Sequence, residues 1–469
     1  MRRLIRIFLF SFLPFYVCSQ SNTLYSHLNK DFIDLSQDVR FAYLDTNNNF
    51  RIGPKFFALS SVESTNITNT YLLGLSFDAN INDKLMMSGL YEYLNGDYNL
   101  EIKNYQDSLD IYYPGFGLEN NRFQFNAQYL PNSFITLDVG YGKQFIGNGY
   151  QSLLLSDIAS SYPYLKLSTK FGPVEYYNIY TTFINPGMTD FGRKKHATIH
   201  YLDIAIKENI HLGVFESILW QSKSEEVYKG YELAYFNPVI FYRPVEFSQH
   251  SSKGNALMGA NLNLLFKSVT VYGQFLLDDL NISRQKDGDE NYQEGFFQNK
   301  YGYQLGLKGK IGGVKYLLEY NQVQPYTYGH RTILQNYSHM NQPLAHPLGA
   351  NFKELINLLE IRKGNWTYKL KTMFTNVGLD SLNTHYGQNI FASDYDASTG
   401  GQYSYGNFNG QGVNTMIFSF QPEVSFNFKS ISLFGMIFYR AKTSNLLDQT
   451  LIFYSVGIKT FPFKAFQDY

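Results

Sequence analysis

Arg122-Phe123-Gln124-Phe125-Asn126-Ala127-Gln128-Tyr129 runs into a link at Pro131-Asn132-Ser133. Ile135-Thr136-Leu137-Asp138-Val139-Gly140-Tyr141-Gly142 follows, and the fold turns on how this stretch is read. In each half, apolar side chains take every second position and polar or small ones the positions between. A repeat of two puts alternate residues on opposite faces of an extended chain, so each half is a strand with one apolar and one polar face. The turn-forming link makes the pair a hairpin.

The pattern recurs outward from this hairpin in both directions. Tyr71, Leu73, Leu75 and Phe77 alternate before Ile81-Asn82-Asp83, and Leu85, Met87, Gly89, Tyr91 and Tyr93 follow it. Leu165, Leu167, Thr169 and Phe171 alternate with Lys166, Ser168 and Lys170 before Gly172-Pro173. Further runs lie at 269–278, 301–310, 315–322, 366–374, 431–439 and 451–461. Most are about 9–11 residues long, the length of a tilted membrane-crossing strand. The chain holds 40 Tyr and 40 Phe but 2 Trp, a composition that suits strands. Its mean hydropathy of −0.26 is too polar for a bundle of membrane helices, and only strands or helices can span a bilayer.

Alternation alone does not separate a soluble sandwich, which buries its apolar face, from a membrane barrel, which turns that face to lipid. The N-terminus favours the barrel. Arg2, Arg3 and Arg6 precede an apolar stretch from Ile7 to Val17, and Val17-Cys18-Ser19 offers a cleavage site, so 1–19 reads as a secretory signal peptide. Its removal takes the 39 basic residues to 36, three fewer than the 39 acids, and leaves no basic excess for nucleic acid. It also removes Cys18, the one cysteine, and with it any disulfide or thiolate site. The fold expected is all-β, a closed antiparallel transmembrane β-barrel of about 14–18 strands with a short irregular or helical N-terminal segment. Residues 20–69 are expected as a plug or mouth element, with a helix at Leu28 to Val39, and 70–469 as the barrel. Tight links at Ile81-Asn82-Asp83, Pro131-Asn132-Ser133, Gly172-Pro173 and Lys207-Glu208-Asn209 are expected on the periplasmic side. The stretches Asn95 to Asn121, Asn281 to Asn299, Gln324 to Asn351 and Leu379 to Gly412 are expected as outward loops.

Constellations for chemistry are weak. His196 and His200 lie on one strand at a spacing of roughly 13 Å, too far apart to share a zinc ion. Asp287-Gly288-Asp289-Glu290-Asn291 lacks the spacing and final acid of an EF-hand. Neither a G-x-S-x-G nor an H-E-x-x-H motif occurs, so no catalytic residue, metal or cofactor is assigned. Two charged segments broken by Gly or Pro stand out instead. Lys143 to Asp157 loses its alternation as if the chain folds over or into the lumen, and Glu232, Arg243, Glu246, His250 and Lys253 bracket a second such region. Because charges inside a barrel must pair, Lys143, Asp157 and these five are expected to form a lumen network. In the last long loop Tyr386, Tyr395, Tyr403, Tyr405 and Phe408 offer aromatic faces for stacking on sugars.

Four blocks resemble a known family. They are G-K-x-F-I-G-N-G-Y-Q-S-L-L-L-S-D at Gly142 to Asp157, Y-F-N-P-V-I-F-Y-R-P-V-E-F at Tyr235 to Phe247, G-N-A-L-M-G-A-N-L at Gly254 to Leu262, and A-H-P-L-G-A-N-F-K-E at Ala345 to Glu354. They resemble the gliding motility protein RemB family of Bacteroidota, which is related to the capsule assembly protein Wzi, an outer-membrane barrel. The resemblance implies a non-enzymatic part in gliding or in organising surface polysaccharide, with outer-membrane lipid, that polysaccharide and gliding or secretion machinery as partners. A solute channel and an outer-membrane hydrolase are the rival readings.

Overall fold

The computed structural model describes residues 41–44, 48–63, 66–97, 120–188, 192–223, 230, 254–280, 295–381, 384–394, 405–428, 431–446 and 448–460. Eighteen antiparallel strands form the wall. They are β1 (Asn48–Glu63), β2 (Asn66–Ile81), β3 (Leu85–Gly96), β4 (Asn120–Tyr129), β5 (Ile135–Gly142), β6 (Tyr162–Phe171), β7 (Val174–Ile184), β8 (Lys194–Lys207) and β9 (Ile210–Gln221). The second half comprises β10 (Asn255–Leu265), β11 (Val269–Asp279), β12 (Lys300–Ile311), β13 (Val314–Val323), β14 (Phe352–Lys363), β15 (Trp366–Leu379), β16 (Val413–Phe428), β17 (Ile431–Ser444) and β18 (Asp448–Lys459). Each pairs with its neighbour in sequence, and β1 pairs with β18 from Phe57↔Lys459 to Val62↔Tyr454. That last pairing closes the sheet and leaves these strands without a free edge. A four-residue strand, Phe41–Leu44, extends the sheet beside the start of β1.

The wall answers the question alternation left open. Outward positions carry exposed apolar side chains, Leu305 at 61% and Val456 at 71% among them, while the intervening Gln304 and Ser455 are buried. An apolar band facing out and polar side chains facing in are the arrangement of a barrel that crosses a membrane. Exposed aromatics mark both rims of the wall, with Phe134 lying 6.5 Å from Phe171 beside the short turns and Tyr71, Tyr93 and Phe123 towards the long-loop ends. No helix among the described residues is long and apolar enough to cross a membrane.

Two expectations are corrected. The wall begins inside the segment expected as a plug or mouth element, because β1 occupies Asn48–Glu63 and pairs on both sides. Pro54 and the adjacent Phe56 and Phe57 mask its alternation, although Phe56 is exposed and Lys55 and Phe57 are buried. The stretch Gln324 to Asn351, expected to project outward, is largely buried and makes its contacts inside the barrel. The signal peptide, the helix at Leu28 to Val39 and the block Tyr235 to Phe247 lie outside the described residues.

One sector breaks the apolar rule on the outer face. Asn178 on β7, His200 on β8 and Glu216 on β9 stand in register, point away from the lumen and are nonetheless buried. His200 Nδ1 lies 3.8 Å from Glu216 Oε2, and His196 Nδ1 lies 2.9 Å from Thr182 Oγ1. Farther along β9, Trp220 Nε1 donates to the carbonyl of Gly230 at 3.0 Å. Gly230 therefore lies over the outer face of this sector.

Candidate functional site

The lumen is the site, and two connections fill it. The first leaves β5 at Gly142 and enters β6 at Tyr162, folding back on itself through the backbone bridge Ile146↔Leu155. Its tip needs glycine twice. A Cβ on Gly147, whose φ is +142°, would collide with the Gln274 amide, and one on Gly149 would collide with the Glu319 carboxylate. Both wall side chains approach the loop backbone closely because they bind it.

A buried loop must find partners for its backbone groups without a sheet to supply them. Here wall side chains do so residue by residue. Glu319 on β13 accepts from the N–H of Tyr150 at 2.5 Å and of Gln151 at 3.0 Å, and also from Tyr272 Oη at 2.8 Å and Asn321 Nδ2 at 2.9 Å. Gln304 on β12 donates to the Gln151 carbonyl at 2.9 Å. Gln274 on β11 accepts from the Leu153 N–H at 2.8 Å and donates to the Ile146 carbonyl at 3.1 Å. Three strands thus read the backbone of one loop. Between these bonds Leu153, Leu154 and Leu155 are fully buried with Phe183, Ile199, Phe215, Leu219 and Leu257 of the wall in one apolar core.

The second connection, from Gln324 to Asn351, locks over the first. Tyr328 and Tyr337 stack at 5.9 Å and donate their hydroxyls to the carbonyls of Leu153 and Leu154, each at 2.8 Å. A short hairpin pairs Ser338–His339 with Gln342–Pro343. Lys195 on β8 reaches it with Nζ, which donates to the Asn336 carbonyl and Oδ1 at 2.7 Å and to Ser338 Oγ at 3.0 Å. At the exit His346 Nε2 meets Glu354 Oε2 at 2.9 Å, its ring stacked on Phe352, and Thr375 Oγ1 donates to the other carboxylate oxygen. Asn351, with φ at +58°, then donates to the carbonyls of Gly378, Tyr386 and Gln411 and accepts from the Gly410 N–H. It ties the loop between β15 and β16 to the plug.

His339 makes this packing sensitive to acid. Its Nδ1 accepts from the Ile184 N–H at 2.9 Å and its Nε2 donates to the Ser161 carbonyl at 3.2 Å, the pattern of a neutral ring. Burial pushes its pKa down from 6.5 to about 3. A histidine depressed on folding binds its proton more readily when released, so its contribution is complete above pH 6.5 and falls away as pH drops towards 3. The melting temperature of the wild type is therefore expected to fall relative to a His339→Gln variant across that window. A constant difference between the two would contradict this assignment.

Of the residues singled out in the sequence, Lys143 and Asp157 come together, through the Lys143 Nζ bond to the Asp157 carbonyl at 3.0 Å. Glu232, Arg243, Glu246, His250 and Lys253 lie outside the described residues. Of the five aromatics, Tyr395 and Tyr403 also lie outside them. Tyr405 packs on Phe296 at 5.3 Å and Tyr386 is half-buried, which leaves Phe408, at 62% exposed, as an open aromatic face. Sequence reasoning missed Glu319, Gln304, Gln274, Lys195, Tyr328 and Tyr337. For the first four the one signal was a polar residue at an inward strand position, which many others share; the two tyrosines, in a connection, carried none. Among the described residues no group of three or more His, Cys, Asp or Glu side chains is placed to hold a metal ion.

No protein family and no curated protein sequence matches the chain. Among solved structures it is similar to Wzi of Escherichia coli, described as an outer-membrane protein involved in group 1 capsule assembly and a carbohydrate-binding β-barrel. The TM-score is 0.55 at 14% identity, over 87% of this chain and 83% of that one. OprD of Pseudomonas aeruginosa is similar with a TM-score of 0.47 at 9% identity, over 91% and 98% of the two chains. At such identities the likeness to Wzi is one of fold.

Proposed function

We propose that this chain is an outer-membrane barrel with a non-enzymatic role at the cell surface, where it organises exopolysaccharide or capsule, or serves gliding, rather than passing solutes. The observation that carries this reading is the lumen. Leu153, Leu154 and Leu155 sit at 0% exposure inside the barrel, and the backbone around them is bonded to three wall strands. A solute path needs water-lined space through the full height of the wall, whereas a close-packed, bonded plug makes the barrel a rigid mount for its long loops. Short turns face the periplasm in such barrels and long loops face outward, so the plug backs the surface that meets glycan. The fold shared with a carbohydrate-binding barrel supports this reading, and the four sequence blocks point to gliding as the alternative role at the same surface.

A clean deletion strain, scored for surface-polysaccharide retention and for gliding, tests it. Loss of either, restored by the wild-type gene, is the expected result. Purified protein is expected to bind the cell's own polysaccharide and to bind it less with Phe408→Ala. Normal retention and gliding in the deletion strain, or turnover of lipid or glycan abolished by one Ser or His substitution, would overturn the proposal.

A further inference from the structure

The outer face of β7 to β10 is covered where the wall elsewhere lies open. Thr198 and His200 on β8, and Glu216, Ile218 and Trp220 on β9, alternate with residues that pack on the plug, so they point away from the lumen. Their exposures are 1%, 0%, 1%, 0% and 1%. Nearer the short turns the same face opens again, with Ile206 on β8 at 57% and Leu262 on β10 at 41%. Side chains on neighbouring strands do not bury one another to this degree, as outward Leu305 at 61% shows. A layer of protein therefore lies over the long-loop half of this sector.

The connection from β9 to β10 is placed to supply that layer. The Gly230 N–H donates to the Ser222 carbonyl at 2.9 Å, and the Gly230 carbonyl accepts from outward Trp220 Nε1 at 3.0 Å. The chain thus turns back onto the outer face directly after β9. At the other end, a Cβ on Gly254 would come within 3.1 Å of the outward Ile218 side chain. Both ends of 231–253 sit on the outside, level with the top of β9. Glu216 lies four residues below Trp220, about 13 Å along the strand. The 23 residues from 231 to 253 span roughly 75 Å when extended, enough to pass down and back.

Sequence and wall match across this contact. A chain laid between barrel and lipid must turn apolar side chains outward and find protein partners for its backbone. Residues 231–253 contain no glycine, and Phe236, Val239, Ile240, Phe241, Val245 and Phe247 supply an apolar side. Pro238 and Pro244 have no N–H to satisfy and hold the residues before them extended. On the wall, Asn178, Thr198, His200 and Glu216 bring donors and acceptors to outward positions, where bare lipid would disfavour them. The lumen uses the same device, with Glu319, Gln304 and Gln274 binding the backbone of the plug.

We propose that residues 231–253 dock on the outer face of β7 to β10 as a strap between barrel and lipid, its backbone bonded to these wall side chains. Glu232, Arg243, Glu246, His250 and Lys253, expected from the sequence in a lumen network, then stand outside the wall. The strap goes beyond the surface role above and does not depend on it.

Beyond Cys18 the chain has no cysteine, so introduced pairs can locate the segment in the full chain in liposomes. Thr198→Cys faces outward and Ala197→Cys inward at nearly the same height. Each is combined in turn with a single cysteine at every position from 236 to 247 and oxidised. Disulfides are expected with Thr198→Cys and not with Ala197→Cys. Glu216→Cys against Ser217→Cys repeats the comparison if the first pair fails to fold. In a second measurement a short turn replaces 231–253. Maleimide labelling of Thr198→Cys should then speed up by about tenfold or more, because its protection came from the strap, while labelling of outward Leu305→Cys stays unchanged. Disulfides with Ala197→Cys or Ser217→Cys would overturn the proposal in favour of a segment inside the lumen. Disulfides between two chains would overturn it in favour of a second copy on this face. So would bonding to neither face, or labelling of Thr198→Cys that the replacement does not change.

Discussion

Glu319→Ala is expected to release the plug. The substitution leaves the N–H groups of Tyr150 and Gln151, the Tyr272 hydroxyl and the Asn321 amide without the acceptor they share. A buried donor left unpaired costs about 1–3 kcal/mol, so four of them would weaken the inserted state by about 4–12 kcal/mol. That is enough to shift the tip of the loop out of its seat while the wall, bonded strand to strand, stays intact. Protease cleavage within 145–151 and flickering current in planar bilayers are the readouts. Glu319→Gln keeps one acceptor oxygen but turns an amide towards a donor, and is expected to fall between the two. An alanine variant as closed and as protected as the wild type would show that the carboxylate does not hold the plug.

The second large effect lies in the leucines. Leu153→Ala and Leu154→Ala each empty a fully buried site inside a packed core. Such truncations cost about 2–5 kcal/mol, depending on how far the surroundings collapse. Leu305→Ala is the control, because Leu305 points outward and is 61% exposed. It should change stability by less than about 1 kcal/mol, since truncating a lipid-facing leucine leaves no internal cavity and removes only about 0.3–0.6 kcal/mol of bilayer transfer energy. Hydrogen exchange read by mass spectrometry over residues 146–155 separates them, with faster exchange expected in the two plug variants alone. Equal exchange in Leu154→Ala and Leu305→Ala would mean that the loop is not packed as described.

The wall was legible in the sequence where its physics is local. Arg122 to Gly142 reads as a hairpin because alternation and turn chemistry both act over a few residues, and the pairing Phe125↔Tyr141 to Tyr129↔Leu137 follows. β1 was hidden because Pro54 and two adjacent phenylalanines interrupt the period, although its pairing with β2 is complete. The plug was half legible. Glycines and lost alternation at Lys143 to Asp157 marked a chain leaving the wall, but nothing nearby announced its partners. Tyr150 is 169 residues from Glu319, and Leu154 is 183 from Tyr337. The segment holding Tyr328 and Tyr337 reads as an outward loop because an apolar stretch buried in a lumen has no period to show. Charges behaved similarly. Lys369 and Lys371 look like any strand lysines until the parity of β15 turns both towards the lumen.

That the plug seals this barrel is part of the function proposed above, and single-channel recording of the full chain in planar bilayers tests it most directly. Wild-type protein is expected to insert without steady current, and a variant in which a short turn replaces 145–156 is expected to conduct. Steady open-pore currents from the wild type, unchanged by that deletion, would contradict the account.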